Sequence, residues 1–160
     1  MPKTNVYKAA GFTLLNKLDE GGLKSYQVYR VINIAKGDAI HINATGYAVN
    51  DVATDISVKF VGIAAHAANN ASGSDGDINV LVIPPLRKYQ FIVPVANALI
   101  TQAAVGTQVD LSAVNTVDLT DLSGAADALG LFIDEIDVST EAVAANEYGY
   151  AIGHFVGHYA

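Results

Sequence analysis

The residues best equipped for chemistry in this chain fall into a few groups, and the spacing within each group says what it could do. Asn69–Asp77 (NNASGSDGD) gathers acidic and amide oxygens among glycines, which is the composition of a calcium loop. A calcium loop sets acids at alternating positions and closes with a bidentate glutamate. Asp75 and Asp77 alternate around Gly76, but Asn79 and Leu81 continue the series badly and no glutamate closes it. The stretch is expected to be a strand connection. Asp134, Glu135 and Asp137 form the second group. In a strand, Glu135 and Asp137 would share a face with Asp134 on the other, so two carboxylates could converge as in a glycosidase. A hydrolase built on these acids would also need a pocket and partners from distant segments. No such partners are marked out, and a solvated face is expected.

Histidines His41, His66, His154 and His158 are the candidate nitrogen ligands. His154 and His158 stand four apart, the spacing that binds zinc on a helix, but Gly149, Gly153 and Gly157 make the segment read as a strand. At about 3.3 Å per residue the two rings would then lie about 13 Å apart, too far to share an ion. The chain has no cysteine, which excludes thiolate zinc sites, cysteine nucleophiles and disulfides. No GxSxG, GxxxxGK[ST] or GxGxxG motif is present. Eight tyrosines without a tryptophan could line a sugar-binding face, but they are scattered through strand-like segments where tyrosine is common.

Charge narrows the function classes further. A net charge of −7 is the wrong sign for general nucleic-acid binding. All nine basic residues lie at or before Lys88, beside seven acids, whereas nine acids and no base follow from Tyr89 onward. That asymmetry predicts two faces with different neighbours. No apolar run reaches the ~18 residues of a membrane span and the first residues lack a signal-peptide core, so a soluble protein made in a cytoplasm is expected.

The elements that would position these groups are strands, because most apolar stretches alternate with period two. Phe12–Leu18 and Leu23–Ile34 flank Asp19-Glu-Gly-Gly22 and read as a hairpin. Further strands are expected at Asp38–Ile42, Tyr47–Val49, Ser57–Ala65, Ile78–Ile83 and Lys88–Val93, with Pro84-Pro85 ending one of them. Pro94–Val105 and Thr140–Glu147 also admit helical readings; a strand is favoured over Ala98–Ala104 and a short helical turn is allowed in the second.

A weak internal repeat organises the rest. Arg30–Asn43 lies over Leu99–Ser112 at an offset of 69, with Gly37 on Gly106. Phe60-VGIA then falls on Leu129-GLFI, and Ile78-NVLVIP near Glu147-YGYAIG, with slips in the loops. The expected fold is mainly β, a small barrel or sandwich with two similar halves at about 30–84 and 99–153. In domain terms this gives an N-terminal arm and hairpin at 1–29, a first lobe at 30–93 and a second at 94–160.

Lys36-GDAIHINATGYAV followed by Lys59-FVGIAAHAANNASGSDGDINVLVI resembles the small β-barrel proteins that decorate the heads of tailed bacteriophages. Ala104-VGTQVDL and Leu129-GLFIDEIDV resemble phage head-accessory proteins in the same way, while Met1–Tyr29 has no counterpart. The resemblance implies a non-enzymatic capsid decoration, or cement, protein on the virion surface. It would bind the major capsid protein and bridge capsid subunits, as a homo-oligomer with a trimer favoured. No cofactor, metal, nucleic acid or membrane would be involved. Lys3 and Lys8 of the arm, with Lys17, Lys24 and Arg30 of the hairpin, are the residues expected to meet the shell, by adding a strand to a capsid edge. A carbohydrate-binding β module using tyrosines is the alternative.

Overall fold

In the computed structural model, residues 11–19, 21–50, 59–95, 100–113, 115–119, 130–137 and 149–156 are described. The chain is mainly β. Its strands are β1 (Thr13–Leu14), β2 (Lys24–Gln27), β3 (Asn33–Ile34), β4 (Ala39–Ile42), β5 (Ala48–Val49), β6 (Lys59–Ala64), β7 (Ala68–Asn69), β8 (Asn79–Ile83), β9 (Gln90–Pro94), β10 (Gln108–Ala113), β11 (Thr116–Asp118), β12 (Leu131–Asp137) and β13 (Tyr150–Phe155). One sheet runs β2-β8-β6-β4-β5, another runs β1-β9-β13-β12-β10-β11, and β3 with β7 forms a small ribbon.

Apart from β1, the two large sheets have the same topology. Ala39↔Ile63 and Ile40↔Gly62 in the β4–β6 ladder become Gln108↔Phe132 and Val109↔Leu131 in the β10–β12 ladder, each residue 69 positions on. His41↔Val49 and Ile42↔Ala48 likewise become Asp110↔Asp118 and Leu111↔Val117. In each sheet one parallel bridge, Val28↔Ala48 or Val95↔Val117, ties the first strand to the last and closes a five-stranded barrel.

The turn that starts each copy explains why the glycines align. Gly37 and Gly106 have φ of 90° and 85°, a region costly for residues with a Cβ. Gly37 N donates to Ala64 O at 2.9 Å and Gly106 N to Ile133 O at 2.8 Å, again 69 apart. Beside them, Asp38 accepts from Ala35 N (2.9 Å) and Asn50 Nδ2 (2.8 Å), while its counterpart Thr107 donates through Oγ1 to Ala104 O (2.7 Å).

Equivalent buried positions of the two barrels carry different residues. Ala48 and Ala64 become Val117 and Ile133, while Ile40, Val80 and Val82 become Val109, Ala151 and Gly153. Glycine has also moved across the same strand pair. A Cβ on Gly62 of β6 would sit 2.0 Å from Ile83 O, and one on Gly153 of β13 would sit 2.0 Å from Phe132 O. Each barrel needs one such close approach, and a different strand provides it.

An aromatic seam joins the barrels. Phe155 packs against Phe60 of the first barrel at 5.0 Å, against Phe91 at 5.3 Å and against Phe12 at 5.7 Å, all buried in a cluster with Ile63, Ile83 and Tyr89. β1 is a strap across it: Phe12 N donates to Gly37 O of the first barrel at 3.0 Å, and Leu15 N donates to Gln90 O of the second at 2.8 Å.

Four sequence expectations are corrected here. β1 and β2 do not pair with each other as a hairpin; β1 adds to β9 and β2 to β8, because the Asp19–Gly22 turn hands the chain from one barrel to the other. Lys24–Gln27, placed in the N-terminal segment, is therefore the first strand of the first barrel, and β9, which the expected boundary between 93 and 94 divides, opens the second. The closing strands align at 71 rather than 69, since Ile63↔Ile83 has its counterpart in Phe132↔His154. Finally, Gln102–Ala104 is a 3-10 turn instead of a strand, closed by Ala104 N donating to Thr101 O and Val105 N to Gln102 O. Its counterpart β3 is held extended by β7. The second expected helical segment, Thr140–Glu147, lies outside the described residues, as does the loop equivalent to Asn69–Asp77.

Candidate functional site

The chain leaves β2 through Tyr29, Arg30 and Val31, and this tip is the most unusual local structure in the first barrel. Val31 has φ of 59°, the described non-glycine residue with a positive φ, and is 67% exposed. A β-branched residue in this region is strained. The strain is held by the loop that looked like a metal site. Val31 N donates to Asn70 O (3.0 Å), Asn70 N to Ile32 O (2.8 Å) and Gly76 N to Val28 O (3.0 Å). The buried Asn70 side chain reaches Val28 O at 3.1 Å, Tyr29 O at 3.3 Å and Ser74 O at 2.8 Å through Nδ2.

The carboxylates of Asn69–Asp77 are likewise engaged by main-chain donors. Asp75 Oδ1 accepts from Arg30 N at 3.0 Å and Asp77 Oδ2 from Ser74 N at 2.8 Å. Among the described residues no group of His, Asp and Glu could hold a metal ion. The loop is thus a buttress for the tip. Arg30 lies over the Tyr29 ring at 5.8 Å, and Tyr29 lies 6.2 Å from Tyr47. A hydrogen bond with Tyr29, reinforced by the fields of Tyr29 and Asp75, holds the Arg30 guanidinium above its ordinary pKa, so it stays charged at any working pH.

Of the expected shell-binding residues, Lys24 is exposed on β2 and Arg30 is exposed on the turn that follows it. Lys17 is exposed on the segment after β1, where Asn16 holds the neighbouring chain: Gln90 N donates to Asn16 Oδ1 at 2.9 Å, and Lys88 pairs with Asp19. Lys3 and Lys8 lie outside the described residues.

The acidic cluster is arranged differently from its strand pattern. A register shift falls between Ile133 and Glu135, so Asp134 is the extra residue of a bulge. The bulge aims Asp134 at His154, whose Nδ1 lies 2.8 Å from Oδ2, with Gln90 Nε2 at 3.3 Å. Glu135 remains exposed and does not converge with it. Pattern reading missed this pair, since a bulge leaves no mark in an alternating sequence. His66 accepts Leu81 N–H on Nε2 (3.1 Å) and faces Ala67 O through Nδ1 (2.8 Å), the bonding of a neutral ring. His41 is buried against Phe60, and His158 lies outside the described residues. Tyr29 and Tyr47 meet at the tip, whereas Tyr89 is buried in the seam with its hydroxyl accepting Asp19 N at 3.3 Å. No family model, curated protein or solved structure matches the chain.

Proposed function

We propose that this chain is a capsid decoration protein, a non-enzymatic subunit that coats an assembled phage shell and bridges its capsid subunits. The observation that carries the reading is the Tyr29–Val31 tip: an exposed, strained valine beside a permanently charged arginine, both fixed by a dedicated loop. Strain at an exposed apolar residue serves no packing purpose, and such strain clusters where a surface makes contacts. The KGD turn and the FVGIA strand carry the resemblance, and both belong to the first barrel. The protein is made in the host cytoplasm and ends on the virion. There it binds the major capsid protein as a homo-oligomer, favoured as a trimer, whose repeated weak contacts add through avidity. No cofactor takes part.

Sedimentation with and without empty heads purified from the phage that carries the gene tests this. The protein should pellet with the heads and remain soluble alone; failure to pellet would refute the reading. The Tyr29–Tyr47 pair favours a second reading, a carbohydrate-binding module. A glycan screen separates the two, because a decoration protein should ignore free sugars.

A further inference from the structure

The duplicated barrels differ at one edge. In the second barrel, β1 lies antiparallel beside the first half of β9, with Thr13↔Ile92 and Leu14↔Phe91 in register. The far end of β9 is taken by barrel closure at Val95. The matching half of β2 is Lys24–Ser25, 67 positions earlier by the ladders Lys24↔Val82 and Phe91↔Gly153. Its far end is also taken by closure, at Val28, with Tyr29 N donating to Ala48 O at 3.0 Å. Among the described residues, no strand lies beside Lys24–Ser25.

That edge has main-chain groups to offer. Val28 N donates to Ile78 O of the chain entering β8, so in an antiparallel ladder Tyr26 and Lys24 also face β8. Ser25 and Gln27 face outward, as Ile92 does toward β1. Ser25 and Leu81 stand directly opposite on one face and are both exposed, which gives an added strand a polar and an apolar neighbour.

We propose that the Lys24–Ser25 edge of β2 is a strand-addition site, and that its occupant is an extended, acidic segment of the shell subunit, lying antiparallel as β1 does on β9. This deepens the decoration reading and rests on it. Charge selects the occupant. Exposed Lys24, at an edge where no described strand pairs, is the usual guard against self-pairing, since a second β2 would bring a second lysine to the same short edge. An acidic partner satisfies that lysine instead. The β1 segment of a second copy is also unsuited, because Phe12, Asn16 and Asp19 anchor it to its own chain.

The test compares wild type, Ser25→Pro and Lys24→Glu in sedimentation with purified empty heads, after circular dichroism of each. Proline at Ser25 removes an outward N–H and no ladder bond, so the barrel should fold. Both variants should bind at least about tenfold more weakly, the effect of losing main-chain bonds or charge match at the edge. If Ser25→Pro fails to fold, hydrogen exchange on wild type serves: the Ser25 and Gln27 amides should gain protection when heads are added, and unchanged exchange would overturn the site. Wild-type binding that both variants retain overturns the edge and leaves the decoration reading standing. A wild type that ignores heads overturns both. An oligomer in the absence of heads that Ser25→Pro dissociates assigns the edge to a second copy and overturns the shell occupant.

Discussion

Replacing Val31 by glycine and, separately, by alanine isolates the backbone cost of the tip. Both variants lose the same valine side chain, so its lost burial cancels in the comparison, except for one methyl on a residue already 67% exposed. The φ of 59° then decides the order. A residue with a Cβ costs about 1–2 kcal/mol in the left-handed region. Glycine loses more chain entropy on folding, which offsets about 0.5–1 kcal/mol of that relief. The balance favours Val31→Gly over Val31→Ala by about 0.5–1 kcal/mol. For a chain of this size that is about 2–3 °C in melting temperature. Thermal and urea unfolding of the pair, followed by circular dichroism, measures it. At an ordinary φ the order reverses, so an alanine variant as stable as the glycine variant would refute the strain argument. Head binding supplies the second readout: Val31→Gly should bind more weakly while being the more stable of the two, which separates contact from folding.

Three further outcomes follow from the same geometry. Phe155→Ala opens the seam between the barrels and should cost about 3–5 kcal/mol in denaturant unfolding, because rings from both barrels lose their common partner. Asn70→Ala removes the donor shared by three carbonyls and should cost about 2–3 kcal/mol; calcium should leave the melting temperature of wild type and variant unchanged, and a calcium-dependent rise would restore the metal reading. A hydrogen bond to Asp19 raises the Lys88 pKa above its ordinary 10.5, so the contribution of that pair is full below 10.5 and is lost as pH rises through the raised value. An NMR titration of Lys88 should show this, and Asp19→Asn should bring the titration back toward 10.5.

The middle of each barrel was legible in the sequence because a tight turn demands glycine and a closed sheet demands alternation. Gly37 over Gly106, and Ile40 and Ile42 over Val109 and Leu111, therefore align although few other identities do. The ends were harder to read. Lys24–Gln27 and Phe12–Leu18 looked like a hairpin because a glycine turn between two alternating runs is the ordinary hairpin signal. Nothing local says that each run prefers a partner about 50 to 80 residues away. The closing strands slipped by two positions because the loop before β13 is longer than the one before β8, and loop length tolerates change. Asp134 meets His154 only through the bulge, and the strain at Val31 comes from Asn70, 39 positions on. Both are long-range effects on residues whose own types give no warning.

The exchange of Gly62 for Gly153 between neighbouring strands has a consequence for how such a chain can evolve. In a symmetric dimer of one-barrel subunits, every substitution appears twice and must suit both environments. A single chain that carries both barrels is free of that constraint. Each barrel can then place its close-approach glycine on a different strand, Gly62 on β6 in one and Gly153 on β13 in the other. In a chain that carries both barrels, each can be altered on its own.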